Sequence, residues 1–429
     1  MKLPRAGLVF VAVLAVYLIT FSYRPTTDTQ LNSIQTRQLA LHGNVDLARY
    51  EPRGGFYVER EGHVYSIYGI GISLVALPFY AVLVPLHTSE ATLQEIVACT
   101  VGAAAFVLVL LLLLKRFPRW LAIPGAIVFG FGTTIWTTAT TALWQHGPVV
   151  ALEALALIGV LSDGNWSPLL AGLAFGAAGF MRLPVFLVAG VFFLFFASQG
   201  RRPLTRYIFG LAPFLVARFV ENRWIWGSWI RTGYSYEPET FTVNHLGSGL
   251  WGELFGWRRG LFVYSPIFVL AILGTALLLL TSRSREGRIY LFCAFSALGL
   301  MIVNAAHTVW WGGEGQFGYR YLIDVVPFLV LPCVAAAHRW RWAARMGALL
   351  GGFSIVFMAA GSVPDTYAWD TSYPQNALAL SPLSHALRRA SQDPIAVLWR
   401  LALVLVLLIF VWITSGQSRQ ETAFETYPI

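Results

Sequence analysis

The chain has 429 residues, of which 57% are hydrophobic and only 12% are charged, whereas an average soluble domain carries about 25% charged residues. This composition excludes an ordinary soluble domain and predicts that most of the chain lies in lipid. The formal net charge of +9 sits in short basic runs between apolar segments, a pattern that reports membrane topology and not nucleic-acid binding. The 3 cysteines lie within apolar runs, so we expect neither a disulfide framework nor structural zinc.

Apolar windows follow one another along the whole chain. They cover approximately residues 6–22, 66–87, 91–114, 119–138, 146–162, 167–181, 183–199, 204–222, 262–281, 288–307, 319–337, 342–361 and 394–415. A helix rises about 1.5 Å per residue, so about 20 apolar residues cross a bilayer core of about 30 Å. Because helices satisfy their own backbone within one lipid-embedded segment, we predict an all-α polytopic membrane bundle of about 12 to 13 spans. Residues 1–429 form one domain in this interpretation.

The first window is interpreted as a retained span. It follows the basic start Met1–Arg5 and lacks a convincing small-x-small cleavage site before Tyr23, so it does not fit a secretory signal peptide.

Charge bias predicts how the bundle sits in the membrane. Basic runs occur at residues 2–5, 115–119, 201–206, 283–288 and 339–345, and the positive-inside rule puts all of them in the cytoplasm. The same choice places four polar loops outside, at residues 23–65, 223–261, 307–318 and 362–393. It requires an even number of crossings between Tyr23 and Ser89, yet the window 66–87 has the length of one span. If that window is re-entrant or lies parallel to the membrane, the chain crosses the bilayer about twelve times. If it spans the membrane, the chain crosses about thirteen times.

The first outer loop places an acid, Asp28, a few residues beyond the first span. A lipid phosphate and a water-borne acceptor both reach a carboxylate at the membrane surface, which makes Asp28 a candidate general base. The alternative is structural, because Asp is a favoured helix N-cap and an apolar-periodic stretch follows at Leu31–Leu41. Thr26 and Thr27 are able to share that capping role.

Aromatic residues mark two further outer segments. Tyr68 lies in the run Tyr65–Gly71 that enters the second window, and Tyr234 lies in the long insertion at residues 224–260. Such rings stack on sugars, but they also anchor ordinary membrane interfaces, so both interpretations stay open.

Basic and polar side chains stand at the outer ends of several spans. His146 begins one window, and Arg182 lies in a turn between two others. An Arg at this depth is costly unless it reaches headgroups or binds an anion, and its planar fork matches phosphate. The alternative for Arg182 is a snorkelling side chain in a tight turn. Glu153 lies inside the fifth window, where we expect structural pairing with a neighbouring helix.

The most informative segment is the late loop rich in glycine and tryptophan. It contains Trp311, Glu314, Arg320 and Tyr321 together with four glycines. Glycines let backbone amides approach an anion while Arg320 contacts it. The alternative is a Gly-rich turn with interfacial aromatics.

At these residues the chain resembles the bacterial membrane glycosyltransferases of the GT-C superfold, which include protein O-mannosyltransferases and the lipid A aminoarabinose transferase. The resemblance covers most of the length. It rests on the acid after the first span, Tyr-Ser-x-Tyr-Gly-x-Gly at 65–71, Leu-Trp-x-His-Gly-Pro at 143–148, Arg-x-Pro at 182–184 and Trp-Trp-Gly-Gly-x-Gly-x-x-Gly-x-Arg-Tyr-Leu at 310–322.

The resemblance implies an inverting transfer of sugar from a polyprenyl-phosphate carrier to an acceptor hydroxyl. Asp28 becomes the base, and Arg182 and Arg320 become phosphate ligands. The other candidate substrate-binding residues are His146, Tyr68, Tyr234, Trp311, Glu314 and Tyr321. Relatives often carry paired acids near the first span, and Thr27 and Thr29 flank the single acid here. The further acids of this loop, Asp46, Glu51 and Glu59, therefore stay alternatives.

The implied partners are the lipid-linked donor, the bilayer and a glycan, lipid or protein acceptor, with no nucleic acid. The implied location is the bacterial inner membrane, with the active site on its outer face. Phosphate leaves well and no compact carboxylate cluster is present, so we expect no required cofactor and only a weak need for metal. The runner-up function is a transporter or flippase of a lipid-linked saccharide, and a third interpretation is a noncatalytic assembly subunit.

Overall fold

The computed structural model describes residues 3–50, 56–236, 241–281, 285–313, 315–364 and 381–415. Within these residues the chain is almost entirely helical. The helices are α1 (Leu3–Ile19), α2 (Thr27–His42), α3 (Gly71–Leu83), α4 (Glu90–Leu114), α5 (Arg119–Phe131), α6 (His146–Val160), α7 (Ser167–Met181), α8 (Val185–Gln199), α9 (Arg201–Ile225), α10 (Leu246–Phe255), α11 (Leu261–Tyr264), α12 (Val269–Thr281), α13 (Arg285–Ala305), α14 (Val326–Arg339), α15 (Arg341–Gly361), α16 (Pro382–Gln392) and α17 (Pro394–Thr414). The strands are β1 (Tyr57–Arg60) and β2 (His63–Ser66), which pair in antiparallel fashion.

The basic loops gather at one end of the bundle, which we call the Lys115 end. There the Arg116 guanidinium donates to the Leu161 carbonyl at 2.7 Å, and Arg285 contacts Asp163 at 2.5 Å. Arg119 donates to the carbonyl of Trp412 at the same end. These contacts join the loops after α4 and α6 to the start of α13 and the last turn of α17. The basic residues at 116, 119 and 285 therefore lie on one side of the bundle, as the charge bias predicts for them.

The opposite end, which we call the Asp28 end, holds α2 and α3. The Tyr80 hydroxyl of α3 bonds the Ser33 hydroxyl of α2, and Arg37 of α2 pairs with Glu90 at 2.7 Å. Gln94, one turn into α4, accepts a hydrogen bond from the backbone N–H of Leu143 at 3.1 Å. Helix α4 therefore begins at the end where α2 lies.

Helix α3 consequently starts and finishes at the Asp28 end, and the window 66–87 does not cross the bundle. The even number of crossings that the charge bias requires is satisfied without an exception. Twelve helices of the described chain then run between the two ends, namely α1, α4 to α9, α12 to α15 and α17.

Hydropathy agrees with a membrane bundle. Among the described residues, 5 helices have the length and apolar composition of a full span: Glu90–Leu114, Arg201–Ile225, Gly287–Ala305, Arg341–Gly361 and Pro394–Thr414. Shorter apolar helices fill the remaining windows. The predicted polytopic all-α fold is confirmed.

Small residues allow two of the helices to touch closely. A Cβ atom at Gly172 of α7 would lie 2.1 Å from the Tyr207 carbonyl oxygen of α9, and one at Gly210 of α9 would lie 2.3 Å from the Leu169 carbonyl oxygen. The hydrophobic effect does not drive helices together in lipid, because lipid tails are as apolar as the side chains. Close backbone approach is therefore a main source of packing energy. The α7–α9 pair thus forms a rigid support for the turns at its ends.

Aromatic side chains fill the centre of the bundle. The Phe175 ring of α7 stacks on the Phe192 ring of α8 at 4.8 Å, and its centroid lies 6.5 Å from that of Phe328 on α14. All three are fully buried. These rings belong to the buried apolar core of the bundle.

A hairpin of β1 and β2 rises from the loop between α2 and α3. Asp46 fixes its base, because one carboxylate oxygen accepts from the backbone N–H groups of Ala48 and Val64 at 3.0 Å each. The other oxygen contacts His63 Nδ1 at 2.8 Å. The second strand then leads directly into the residues around Tyr68.

Candidate functional site

A cavity of about 560 Å³, counting its open mouth, lies at the Asp28 end. It is formed where the first loop, the turns after α5 and α7 and the late loop before α14 meet. Its lining residues are Asp28, Asn32, Tyr68, Trp144, Gln145, His146, Arg182, Pro184, Tyr234, Phe241, Asn304, His307, Arg320 and Tyr321. Residues from distant parts of the sequence therefore share one space.

Asp28 lies in the first turn of α2 and faces this cavity. The N-cap of α2 is Thr26, whose backbone N–H donates to the Thr29 hydroxyl at 2.9 Å. The structural alternative, in which Asp28 itself caps the helix, is wrong because the cap lies two residues earlier. The Asp28 carboxylate instead forms an ion pair with Arg320, and the two side chains keep 14% and 11% of their surface exposed.

The late loop holds Arg320 in place. The backbone φ angles of Gly312 and Gly318 are 80° and 85°, values that side chains other than glycine rarely adopt. The Gly312 carbonyl accepts from Arg320 at 2.8 Å and from the Gln316 amide at 2.6 Å. The glycines thus let the loop curl so that its carbonyl, and not an amide, meets the guanidinium.

Aromatic rings flank the same guanidinium. The Arg320 Cζ atom lies 4.2 Å from the Trp144 ring centroid and 5.2 Å from that of Tyr321. Cation–π contacts at this range are attractive. They hold the charge at the cavity wall.

Arg182 reaches the cavity from the turn between α7 and α8. It forms an ion pair with Asp324, which also contacts His146 Nδ1 at 2.8 Å. Asp324 is fully buried, and Arg182 keeps 6% of its side-chain surface exposed. Within the described part of the chain, Arg182 makes no other hydrogen bond, so its remaining N–H groups are available to a ligand in the cavity.

Most of the predicted site residues meet here. Tyr68, His146, Tyr234 and Tyr321 line the cavity beside Asp28, Arg182 and Arg320. The expected convergence of the two arginines with Asp28 is present, although their roles as phosphate ligands stay predictions.

Trp311 does not line the cavity. Its ring lies 5.3 Å from the Arg258 guanidinium, and its carbonyl accepts from Arg259 at 3.2 Å. We therefore assign it to loop packing. Glu314 lies outside the described residues.

The alternative acids of the first loop are placed elsewhere. Asp46 holds the hairpin base, Glu59 is exposed on β1, and neither lines the cavity. Partial burial by itself would raise the pKa of Asp46, but its hydrogen bonds with His63, Val64 and Ala48 bring that pKa below its usual range. A lowered pKa makes Asp46 a weak base. Glu51 lies outside the described residues.

The sequence reasoning missed Asp324 as a site residue. Asp324 lies inside the apolar window 319–337, where an acid requires a partner, but the sequence does not indicate that this partner is Arg182. Asn304 in the last turn of α13 and His307 just after it were also missed as lining residues, since the direction of their side chains depends on tertiary packing.

Glu153 differs from its expectation. It lies on α6, about two turns after His146, and is fully buried. Neither of its carboxylate oxygens has a hydrogen-bond partner among the described residues. The predicted structural pairing with a neighbouring helix is therefore not seen. Its electrostatic neighbours are Asp324 and Arg182.

Metal ligands do not cluster in the described residues, where no group of three or more His, Cys, Asp or Glu side chains is arranged to hold a metal ion. The polar groups of the cavity are guanidinium, carboxylate, amide, imidazole and phenol. Such a set binds anions and exchanges protons.

The polytopic helix bundle is similar in fold to a solved structure. The crystal structure of ArnT from Cupriavidus metallidurans in the apo state matches 95% of this chain and 74% of its own, with a TM-score of 0.55 and 14% sequence identity. No protein-family model and no curated protein matches the sequence. The likeness thus lies in the fold, in agreement with the resemblance read from the motifs.

Proposed function

We propose that this protein is an inverting glycosyltransferase that moves a sugar from a polyprenyl-phosphate carrier to an acceptor hydroxyl. The observation that carries the proposal is the pairing of Asp28 with Arg320 on a cavity that Arg182 also lines. A base beside two guanidinium groups suits a reaction that removes a proton and releases a phosphate.

The chemical step is one displacement. The Asp28 carboxylate takes the proton of the acceptor hydroxyl, and the acceptor oxygen forms a bond to the anomeric carbon. The bond from that carbon to the phosphate oxygen breaks, and its electron pair leaves with the polyprenyl phosphate. Arg320 and Arg182 stabilise the growing charge on the phosphate, and inversion follows because attack and departure occur on opposite faces.

In the structure, the Arg320 guanidinium forms an ion pair with the Asp28 carboxylate. A donor phosphate at Arg320 competes with this ion pair and releases the carboxylate for the acceptor proton. The base is therefore activated by the donor, and donor binding precedes productive acceptor binding.

The placement of the polar cavity at one end of the bundle favours a transferase over the alternative transporter or flippase. Transport of a saccharide requires polar access from both ends of the bundle. The polar side chains that line the cavity lie at the Asp28 end, whereas Phe175, Phe192 and Phe328 pack together in the buried apolar core.

We place the cavity on the outer face of a bacterial inner membrane, because the basic loops lie at the opposite end. Single cysteines at His245 and Arg285, reacted with an impermeant reagent on intact cells, test this orientation. We expect labelling only at position 245. The native Cys99, Cys293 and Cys333 are buried, so background labelling is low, and exclusive labelling at position 285 would invert the arrangement.

Asp28→Asn tests the proposed base. We expect about 10²- to 10⁴-fold slower transfer, the usual contribution of a general base, with membrane insertion and thermal unfolding close to the wild type. The readout is mass spectrometry of lipids and glycans from deletion cells that carry each variant, followed by turnover of the lipid-linked sugar so identified. Glu59→Gln, an exposed acid of the same loop, is the matched control, and near-wild-type turnover of Asp28→Asn would refute the assignment.

A further inference from the structure

A second cavity lies at the Asp28 end, between the hairpin and the last turn of α9. Its volume is about 820 Å³, counting its open mouth, and it shares no lining residue with the first cavity. One wall carries Tyr65 of β2, and the other carries Arg223 and Trp224 of α9.

The two walls are fixed to each other. Ile225 and Trp226 pack with Val45 in a buried cluster that also contacts Val58 of the hairpin. The Arg60 guanidinium donates to the Trp224 carbonyl at 3.0 Å, which satisfies the carboxyl end of α9. The cavity is therefore part of the folded structure.

One of the guanidinium groups that line this cavity has no counterion among the residues that the structure describes. Arg60 pairs with Glu61 at 2.8 Å, and His63 contacts Asp46 at 2.8 Å. Arg223 is exposed and forms no ion pair or side-chain hydrogen bond with any residue that the structure describes. A charged donor without a partner, beside a cavity, is suited to an anionic ligand.

Exposed indole rings stand beside this charge. Trp224 and Trp229 keep 51% and 58% of their surface exposed, and both line the cavity. Indole rings favour the zone where hydrocarbon meets polar headgroups.

An apolar stripe on α9 connects the cavity with the bilayer. Phe209, Val216 and Val220 are 68%, 61% and 53% exposed and lie at helical spacing, and Arg223 follows one turn after Val220. Exposed apolar residues on a membrane span face lipid. A molecule in this cavity thus has acyl chains directly below it.

We propose that the cavity binds the anionic headgroup of a membrane lipid, with its phosphate at Arg223, its polar group between Trp224 and Trp229, and its chains along the α9 stripe. The site is separate from the cavity at Asp28. The proposal does not depend on the transferase function.

The test uses the full chain in nanodiscs that contain phosphatidylglycerol and phosphatidylcholine. Native mass spectrometry measures which lipid stays bound. We expect the wild type to retain phosphatidylglycerol in preference, and Arg223→Gln to bind it about tenfold more weakly, since one charge-assisted contact is lost. Arg223→Lys should keep most of the preference because it keeps the charge.

Arg231→Gln is the matched control, because Arg231 is also exposed in the next loop but does not line the cavity. It should bind phosphatidylglycerol as the wild type does. Equal losses in the Gln variants, or no loss in Arg223→Gln, would overturn the proposal. Displacement of the lipid by water-soluble glycerol phosphate at similar concentration would also overturn it, because the ligand would then be a free phosphate.

Discussion

Two guanidinium–carboxylate pairs serve the same cavity, and their carboxylates are held differently. Asp324 is fully buried and is held by both Arg182 and His146. Asp28 keeps 14% of its side-chain surface exposed, and Arg320 is its one partner in the described part of the chain. A carboxylate bound through both oxygens supports the structure, whereas one with a single exchangeable partner is able to take a proton from a substrate.

This comparison predicts losses of stability of different size for two equivalent substitutions. Asp324→Asn should cost about 3–5 kcal/mol, because it leaves a buried guanidinium without its counterion. Asp28→Asn should cost less, because Arg320 keeps its hydrogen bond to the Gly312 carbonyl and its contacts with two aromatic rings. Thermal unfolding of both variants in detergent measures the difference, and equal losses would show that the two pairs do not differ in role.

The guanidinium that pairs with Asp28 should matter for binding of the carrier lipid. Arg320→Lys keeps the charge but loses the planar fork, so we expect about tenfold weaker binding of polyprenyl phosphate. Isothermal calorimetry in nanodiscs is the measurement. Arg231→Lys, which lies outside both cavities, is the control and should bind as the wild type. Unchanged affinity in Arg320→Lys would remove Arg320 from the phosphate site.

Removing the Asp28 carboxylate should strengthen the binding of polyprenyl phosphate. Asp28→Asn frees Arg320 from competition and removes a negative charge near the phosphate, so polyprenyl phosphate should bind about fivefold more tightly. The same variant should transfer sugar about 10²- to 10⁴-fold more slowly. The affinity of Asp28→Asn, compared with that of Glu59→Gln, tests whether donor phosphate and Asp28 share Arg320. Weaker binding would mean that the phosphate contacts Asp28 indirectly or binds elsewhere.

Sequence reasoning identified much of this arrangement, because membrane segments and charged interruptions are local signals. The apolar windows gave the helices, and Asp28, Arg182 and Arg320 stood out as charges at span ends. The path of the window 66–87 was undecided, since its hydropathy is the same whether or not it crosses. The contacts of Tyr80 and Gln94 decide it, and they depend on tertiary packing.

The partner of each arginine was equally inaccessible. Arg182 and Asp324 lie in different turns, separated by several spans, and no local pattern couples them. The loop glycines suggested amides directed at an anion, but the structure shows the Gly312 carbonyl on Arg320. Backbone direction in a loop with positive φ angles follows from the whole turn and not from its composition.

The Asp46 carboxylate lies in a third kind of environment, at the base of the hairpin. Its substitution should have the smallest effect on stability and transfer. Hydrogen bonds with His63, Val64 and Ala48 outweigh the influence of partial burial and lower its pKa from the ordinary value of 3.8. Its contribution to stability is therefore present above that value and is lost as pH falls through the lower folded pKa.

Asp46→Asn should cost at most about 1 kcal/mol near neutral pH and leave transfer nearly unchanged, because the side chain does not line the site cavity. Hydrogen exchange of the Val64 amide, which should be faster in the variant, and turnover at neutral pH are the two measurements. A loss of transfer comparable to that of Asp28→Asn, with the hairpin still protected, would move the base from Asp28 to Asp46.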